Sequence, residues 1–465
     1  MLHIVHMIER RFGVERASHI VIRLLLASAL LLMLGLGLLL SGRVVAQEAP
    51  IDGAAIATRA LDHLDAGEYA QVEALFSADM AKAVPADKLK GVWESLPAQV
   101  GKPTGRGEAQ SMLQDGATLV QVPLHFEKAE LVAKFAIDVS GKVVGFMIQP
   151  AQAAAPAPAA AVRDDANFSE RELAVGEDER ALPGTLAMPK GGGPLPAVVL
   201  VHGSGPHDRD ETIGPNKPFL DIARGLATQG IAVLRYEKRT RARPQDFASG
   251  VFGVDEEITN DAVQAVAALR ALDGIDPKRV FVLGHSQGGM MAPRIAAVSG
   301  HVAGLVLLAA PARSLLDIVI EQNRRLAVLD DQKTSDAERD AITALIQQVR
   351  SIRDPATDAA TKTVMGLPAG YWRSIDSVDP VAEAKSVALP MLVLQGARDI
   401  QVVDADWQAW RSGFHDNPKV TFKLYETLNH LAMPGEGEGN LAEYQQPNHV
   451  DPALITDVAA WIKAH

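Results

Sequence analysis

The 465-residue chain contains no cysteine, which excludes disulfides, thiolate metal sites, a cysteine nucleophile and a lipid-anchored cysteine together. Basic residues are the minority, 45 Lys plus Arg against 57 Asp plus Glu, for a formal net charge of −12. The electropositive footprint of a nucleic-acid binder is therefore missing. Apolar residues at 48% and charged residues at 22% match an ordinary globular balance and exclude wholesale disorder, collagen and coiled coil. At about 150 residues per domain, the length predicts two or three domains.

One long hydrophobic run is present. Arg10, Arg11, Arg16 and Arg23 precede an uncharged stretch from Leu24 to Leu40 built of Leu with Ala, Gly, Ser and Met. A basic segment, an apolar segment and small residues after it form the layout of an export signal. Val44 and Ala46 occupy the −3 and −1 positions for cleavage before Gln47. Residues 1–46 are thus expected to be a signal peptide, leading to a periplasmic or secreted protein. The rival is an uncleaved inner-membrane anchor, with residues 20–40 in the bilayer and the body facing the periplasm. Cleavage removes five Arg and two Glu and leaves 40 basic against 55 acidic residues, a net charge of −15. Such a body stays soluble and avoids anionic membrane surfaces.

From Ala151 the sequence reads A-Q-A-A-A-P-A-P-A-A-A-V, with little to bury and two prolines that favour an extended tether. Residues 151–163 are read as a linker between a region of 50–150 and one of 164–465. In the first region, Ala57, Ala60, Leu61 and Leu64, then Val72, Leu75 and Phe76, recur at helical spacing and predict two or three short helices up to Gln99. Beyond Gly101 the period changes to alternation. Strands are expected near 118–123, 131–137 and 143–148, with a turn at Gly141. Helices followed by an antiparallel sheet make a small α+β module. It carries no catalytic constellation, and His63 and His125 read as ordinary surface or core histidines.

The second region alternates apolar runs with helical patterns. Residues 197–201, 231–234, 280–283, 302–308 and 391–394 are apolar without alternation, as strands buried on both faces are. Ala262 to Leu272 carries a helical pattern between two of them. A doubly wound, mostly parallel α/β sheet is expected, with its site at the carboxyl ends of the strands.

Four motifs fall at such ends. G-H-S-Q-G-G, residues 284–289, lies between a strand and a helix, the setting of a nucleophile elbow. Taken alone it could be a glycine-rich turn with an ordinary serine; in context it presents Ser286 as the nucleophile. H-G-S-G-P, residues 202–206, ends an earlier strand and is suited to offering backbone N–H groups to a developing oxyanion. The N–H of Ser204 (or of Gly205) and that of Gln287 are the expected donors, and His202 shapes the loop. G-A-R-D puts Asp399 just past the strand 391–395, with Asp404 and Asp406 as alternatives. T-L-N-H brings His430 after a last strand at 420–424, with His415 and His449 as alternatives. The order serine, acid, histidine is the one this sheet uses.

From about residue 170 onward the chain resembles the α/β-hydrolase superfamily. H-G-S-G, G-H-S-Q-G-G, G-A-R-D and L-N-H are similar to those of bacterial serine esterases and acyl-peptidase-like enzymes of the serine aminopeptidase type. The first region resembles the NTF2-like or cystatin-like modules that precede exported hydrolases. The resemblance implies nucleophile, acid and base at Ser286, Asp399 and His430, and it does not carry over a substrate. Such chemistry needs no metal and no organic cofactor, and its partner is a small-molecule ester or a short peptide.

About eighty residues separate the strands ending near Ala310 and starting near Pro390, too many for a simple loop. Ile342, Leu345, Ile346, Val349 and Ile352 follow helical spacing, so a helical cap over 312–388 is expected. Tyr371 and Trp372 at its exit are candidate pocket walls, against ordinary cap packing. His207, Asp208, Arg209, Asp210 and Glu211, with Arg239 and Arg241, predict a polar mouth and hence a small or polar ester. A peptidase with the same triad is the alternative enzyme. A catalytically silent binding protein would be a third class, and the intact triad argues against it.

Overall fold

The computed structural model describes residues 52–114, 117–127, 129–150, 163–328, 334, 336–361 and 363–465. The leader expected at 1–46 and the tether at 151–162 lie outside them. The described residues fall into two units.

The first unit opens with four helices, α1 (Gly53–Asp65), α2 (Tyr69–Leu75), α3 (Ala78–Ala83) and α4 (Ala86–Val100). Asp52 starts α1 by accepting the Ala55 N–H at 3.0 Å, satisfying a donor that the first turn leaves free. Five strands follow: β1 (Pro103–Arg106), β2 (Gln110–Gln114), β3 (Ala117–Phe126), β4 (Glu130–Ile137) and β5 (Val143–Pro150). They form one antiparallel sheet ordered β1-β3-β4-β5, with β2 also paired to β3. Alternation along β3 sends Val120, Val122, Leu124 and Phe126 inward against Ala57, Ala60, Leu61 and Leu64 of α1. The α+β layer read from the periods is present. Strands β1 and β2 escaped that reading because they are short, and β1 is polar and largely exposed. His63 and His125 sit beside Glu68 and Glu130, partly exposed.

The second unit is built on an eight-stranded sheet ordered β13-β12-β11-β10-β8-β9-β7-β6. Its members are β6 (Phe168–Glu172), β7 (Gly184–Pro189), β8 (Leu195–Val201), β9 (Ala232–Tyr236), β10 (Ile275–His285), β11 (Leu305–Leu308), β12 (Met391–Gly396) and β13 (Val420–Tyr425). Strands β8 to β13 are parallel, and β7 and β6 add an antiparallel edge. The continuous apolar runs arise because each strand feeds two cores. Val199, Val201, Val280 and Val282 face one helical layer, whereas Val198, Leu200, Phe281 and Leu283 face the other. Helices α5 (Pro218–Thr228) and α14 (Pro452–Ala464) cover the second face. A short helix α6 (Arg239–Ala242) precedes α7 (Asn260–Arg270), and α7 covers the first face together with α8 (Gln287–Ser299).

The insertion between β11 and β12 is helical, as its length and periodicity predicted. It comprises α9 (Leu315–Leu326), α10 (Asp336–Arg353), α11 (Ala369–Asp376) and α12 (Pro380–Val387), followed by α13 (Asp404–Phe414) after β12. Among the described residues, no helix is long and apolar enough to cross a membrane.

Candidate active site

Strand β10 passes into α8 with a single residue between them, Ser286. So abrupt a change of direction requires an unusual backbone, and Ser286 has φ 52° and ψ −121°. A non-glycine residue held there costs about 1–3 kcal/mol. The conformation is fixed by the Ser286 N–H donating to Leu308 O at 2.9 Å and by Met290 N–H donating to Ser286 O at 3.0 Å. Both motif glycines are steric requirements. A Cβ on Gly288 would lie 2.6 Å from His202 O and collide with Val201 O, and one on Gly284 would collide with Gly288 O. Ser286 is half-buried, and its hydroxyl makes no hydrogen bond with another described residue.

Asp399 stands past the end of β12 and His430 past the end of β13. Asp399 Oδ2 accepts the His430 Nδ1–H at 2.7 Å, and both side chains are buried. The carboxylate is well supplied with other donors: Gln401 N–H at 2.8 Å and Val402 N–H at 3.0 Å reach Oδ1, and Gln395 Nε2 reaches Oδ2 at 3.2 Å. Asn429 folds the His430 turn by accepting the N–H groups of Leu431 at 3.0 Å and Met433 at 3.2 Å. That turn is then tied to the elbow, since His285, the residue before Ser286, donates from Nε2 to His430 O at 2.9 Å. The two imidazole rings stand 4.8 Å apart.

The loop after β8 runs alongside. A Cβ on Gly203 would come within 3.2 Å of Ser286 Cβ. Gly203 is held on both sides, its N–H by Glu211 Oε1 at 2.7 Å and its carbonyl by Lys238 Nζ at 2.8 Å. Among the described residues, the N–H groups of Ser204 and Gln287 have no acceptor. His202 shapes the loop, as expected: Nε2 donates to Asp208 O at 3.0 Å, and the ring packs on Phe219 and Tyr236. Burial drives its pKa down to about 3, so it is neutral.

The structure thus brings Asp399 and His430 into contact and ties His430 to the elbow that carries Ser286. The alternatives lie elsewhere. Asp404 opens α13, Asp406 pairs with Arg313, His415 is exposed beside Asp416, and His449 is exposed beside Asp221.

Two expectations need correction. Trp372 is not a pocket wall: it is buried in the cap, with its indole N–H bonded to Val364 O at 3.0 Å. Tyr371 is buried too, and its hydroxyl donates to Glu257 Oε2 at 2.6 Å while accepting from Gln287 Nε2 at 3.0 Å. Nor do the charges after H-G-S-G form a wet mouth. Arg209 pairs with Glu172 and Glu237, Asp210 with Arg235 and Lys217, and Arg239 with Asp261 and Asp246. Arg209, Asp210 and Glu211 are all buried, so these groups brace the loop from inside.

Four residues hold positions that the sequence reading did not give them. Glu211 accepts from His285 Nδ1 at 2.9 Å with its second oxygen. Burial would raise this carboxyl, but contact with His285 outweighs it and holds the value at about 2. Burial would lower the His285 imidazole, yet Glu211 raises it. Lys238 and Glu257 form a buried pair, Nζ to Oε1 at 2.7 Å. Glu257 lies in a π turn, Asp255–Thr259, leading into α7, a conformation that is rare in general and frequent at functional sites. The D-R-D-E run and the histidine of G-H-S were visible signals, but Lys238 and Glu257 gave none.

A parallel sheet with a strained serine at a strand-to-helix elbow and an acid and histidine at later strand ends is the architecture of an α/β-hydrolase. The chain belongs to the family described as serine aminopeptidase, S33, whose model matches residues 193–438. It is a hydrolase. Residues 57–146 match a second family, described as a protein of unknown function (DUF3887). Over 402 residues the chain is 34% identical to esterase EstD of Thermotoga maritima, covering 86% of this chain and 93% of that one. Among solved structures, Est1E from Butyrivibrio proteoclasticus shares 16% identity at a TM-score of 0.40, over 63% of this chain and 99% of its own. A puromycin-hydrolyzing peptidase of Mycobacterium tuberculosis shares 18% at 0.41, over 76% and 46% respectively.

Proposed function

We propose that the chain hydrolyses carboxylic esters through an acyl-enzyme on Ser286, with His430 as base and Asp399 as its orienting acid. The observation that carries this reading is the 2.7 Å Asp399–His430 hydrogen bond on a turn tied to the elbow of Ser286. With Nδ1–H committed to Asp399, the His430 Nε2 lone pair is left to take the Ser286 proton as Oγ attacks the ester carbonyl. The oxyanion is received by the N–H groups of Ser204 and Gln287, neither of which has another acceptor among the described residues. The proton returns from His430 to the departing alcohol. Water then attacks the acyl group, again giving its proton to His430, and the carboxylic acid leaves as Ser286 recovers its own. Asp399 remains ionised throughout. The mechanism calls for no metal and no cofactor.

The name of the Thermotoga relative supports esters as substrate. Short or polar acyl groups are the narrower proposal: the residues that follow Gly203 beside Ser286, namely Ser204, Gly205, Pro206, His207 and Asp208, are half-buried and offer a long chain little apolar surface. Ion pairs of the neighbouring Arg209 and Asp210 anchor that loop to the sheet. A peptidase on the same triad is the second reading, favoured by the family description. Turnover of p-nitrophenyl acetate, butyrate and palmitate, with an aminoacyl p-nitroanilide alongside, separates these readings. Acetate or butyrate is expected to be fastest. Preference for palmitate overturns the short-chain assignment, and preference for the anilide overturns the ester assignment.

Export is part of the same proposal. It rests on the basic residues Arg10 to Arg23 and the apolar run Leu24–Leu40. The mature protein should begin at Gln47 in the periplasmic or secreted fraction. An intact leader in the membrane fraction identifies an anchor instead.

A further inference from the structure

The peptide unit joining Gly203 to Ser204 is held by a buried chain of polar groups. Its N–H has no acceptor among the described residues, and its Gly203 end lies against Ser286. Its C=O, pointing the other way across a planar trans unit, accepts from Lys238 Nζ at 2.8 Å. Lys238 is 3% exposed and pairs with Glu257 Oε1 at 2.7 Å. The other oxygen of Glu257 accepts the Tyr371 hydroxyl at 2.6 Å, and that hydroxyl accepts Gln287 Nε2 at 3.0 Å. The chain therefore starts on the carbonyl behind one oxyanion amide and ends on the side chain of the residue that owns the other.

Two physical effects follow. An amide whose oxygen is bonded to a cation is polarised, and its N–H becomes a stronger donor, because hydrogen bonds in series reinforce one another at low dielectric. The bond also fixes the plane of the peptide, so the N–H is aimed before substrate arrives and need not reorganise during reaction. Stability alone does not explain the pair, since a buried ion pair is often no better than apolar residues of equal volume.

The geometry points to Lys238 as a positioning residue for hydrolysis: it aims and polarises the Gly203–Ser204 amide, and Tyr371 of the cap holds it there through Glu257. This inference rests on Ser286 being the nucleophile. It also gives the cap a direct connection to the oxyanion loop.

The test compares wild type, Ser286→Ala, Lys238→Met and the double variant Lys238→Met/Glu257→Gln in the full mature chain. The double variant removes both buried charges and keeps the experiment informative if Lys238→Met alone fails to fold. In the folded Lys238 variants, kcat for p-nitrophenyl butyrate should fall about 10- to 100-fold, less than or comparable to loss of a whole oxyanion donor. KM should move less than about threefold, and the affinity for phenylboronic acid, which forms a tetrahedral adduct with serine, should fall with kcat. If kcat in the double variant stays within about twofold of wild type, or KM rises with kcat intact, the role of Lys238 is structural and the inference is overturned. A wild type without turnover, or Ser286→Ala with full turnover, instead overturns the underlying triad.

Discussion

Glu211 and His285 form an ion pair inside the protein, Oε2 to Nδ1 at 2.9 Å, directly behind the serine elbow. The other nitrogen of His285 faces a carbonyl, that of His430, so it too must donate. An imidazole with two acceptors carries two protons, which agrees with the raised pKa of His285 and the lowered one of Glu211. Because Glu211 Oε1 also takes the Gly203 N–H, one carboxylate joins the loop after β8, the elbow and, through His285, the turn of His430. Glu211 itself has φ 52°, a left-handed backbone that a branched or bulky replacement would not accept.

Replacing Glu211 by Gln keeps the shape and removes the charge, leaving a buried imidazole without its partner. Breaking a buried pair in this way costs about 3–5 kcal/mol. The denaturation midpoint should drop accordingly, and kcat should fall more than KM changes, since the loop and the His430 turn both lose their brace. Wild-type stability and turnover in Glu211→Gln would show that the pair is dispensable.

The same pair predicts a pH dependence. His285 is raised above its ordinary 6.5, so its contribution is complete below that pH and is lost as pH rises through the raised value. Glu211 is depressed from 4.5 to about 2, so its contribution is complete above 4.5 and is lost as pH falls toward 2. The stability gap between wild type and Glu211→Gln is therefore expected to be widest between pH 4.5 and 6.5. Urea unfolding at pH 5.5 and pH 9 measures it. An equal gap at the two values contradicts a charged His285.

Ser286→Ala, His430→Ala and Asp399→Asn should each cut kcat by roughly 10⁴-fold or more, without additivity when combined, because the three act as one unit. The asparagine variant removes the acceptor that sets the His430 tautomer while retaining shape. Single-variant and triple-variant turnover, beside circular dichroism for folding, is the check. Additive losses would mean that the residues act separately.

The sheet and the motifs at its strand ends were legible because their signals are local. A run such as Ala197–Val201 must be apolar on both faces to lie in a sheet covered twice, and G-H-S-Q-G needs its glycines where backbone meets backbone. The polar framework was less legible because its members meet only in space. Lys238 and Glu257 are nineteen positions apart, and nothing in either stretch announces the other. The run from His207 to Glu211 is visible but reads as a polar mouth, since charge density alone does not say which acids and bases find partners within the fold. Strand β6, F-S-E-R-E, was hidden for a related reason: Glu170 is buried because Arg224 and Arg235 neutralise it, an exception to the apolar pattern that marks interior strands.

The strain at Ser286 gives a final prediction, in which stability and activity move in opposite directions. The pair φ 52°, ψ −121° suits glycine and penalises any residue with a Cβ. Ser286→Gly removes the hydroxyl and the strain together, whereas Ser286→Ala removes the hydroxyl and keeps the strain. Both should be inactive, but the glycine variant should unfold at higher denaturant than the alanine variant, by about 1 kcal/mol once the greater chain entropy of unfolded glycine offsets part of the 1–3 kcal/mol released. Equilibrium unfolding of the two inactive proteins measures the energy stored in the elbow. If alanine is as stable as glycine there, the backbone at Ser286 relaxes in solution and its conformation is not held under strain.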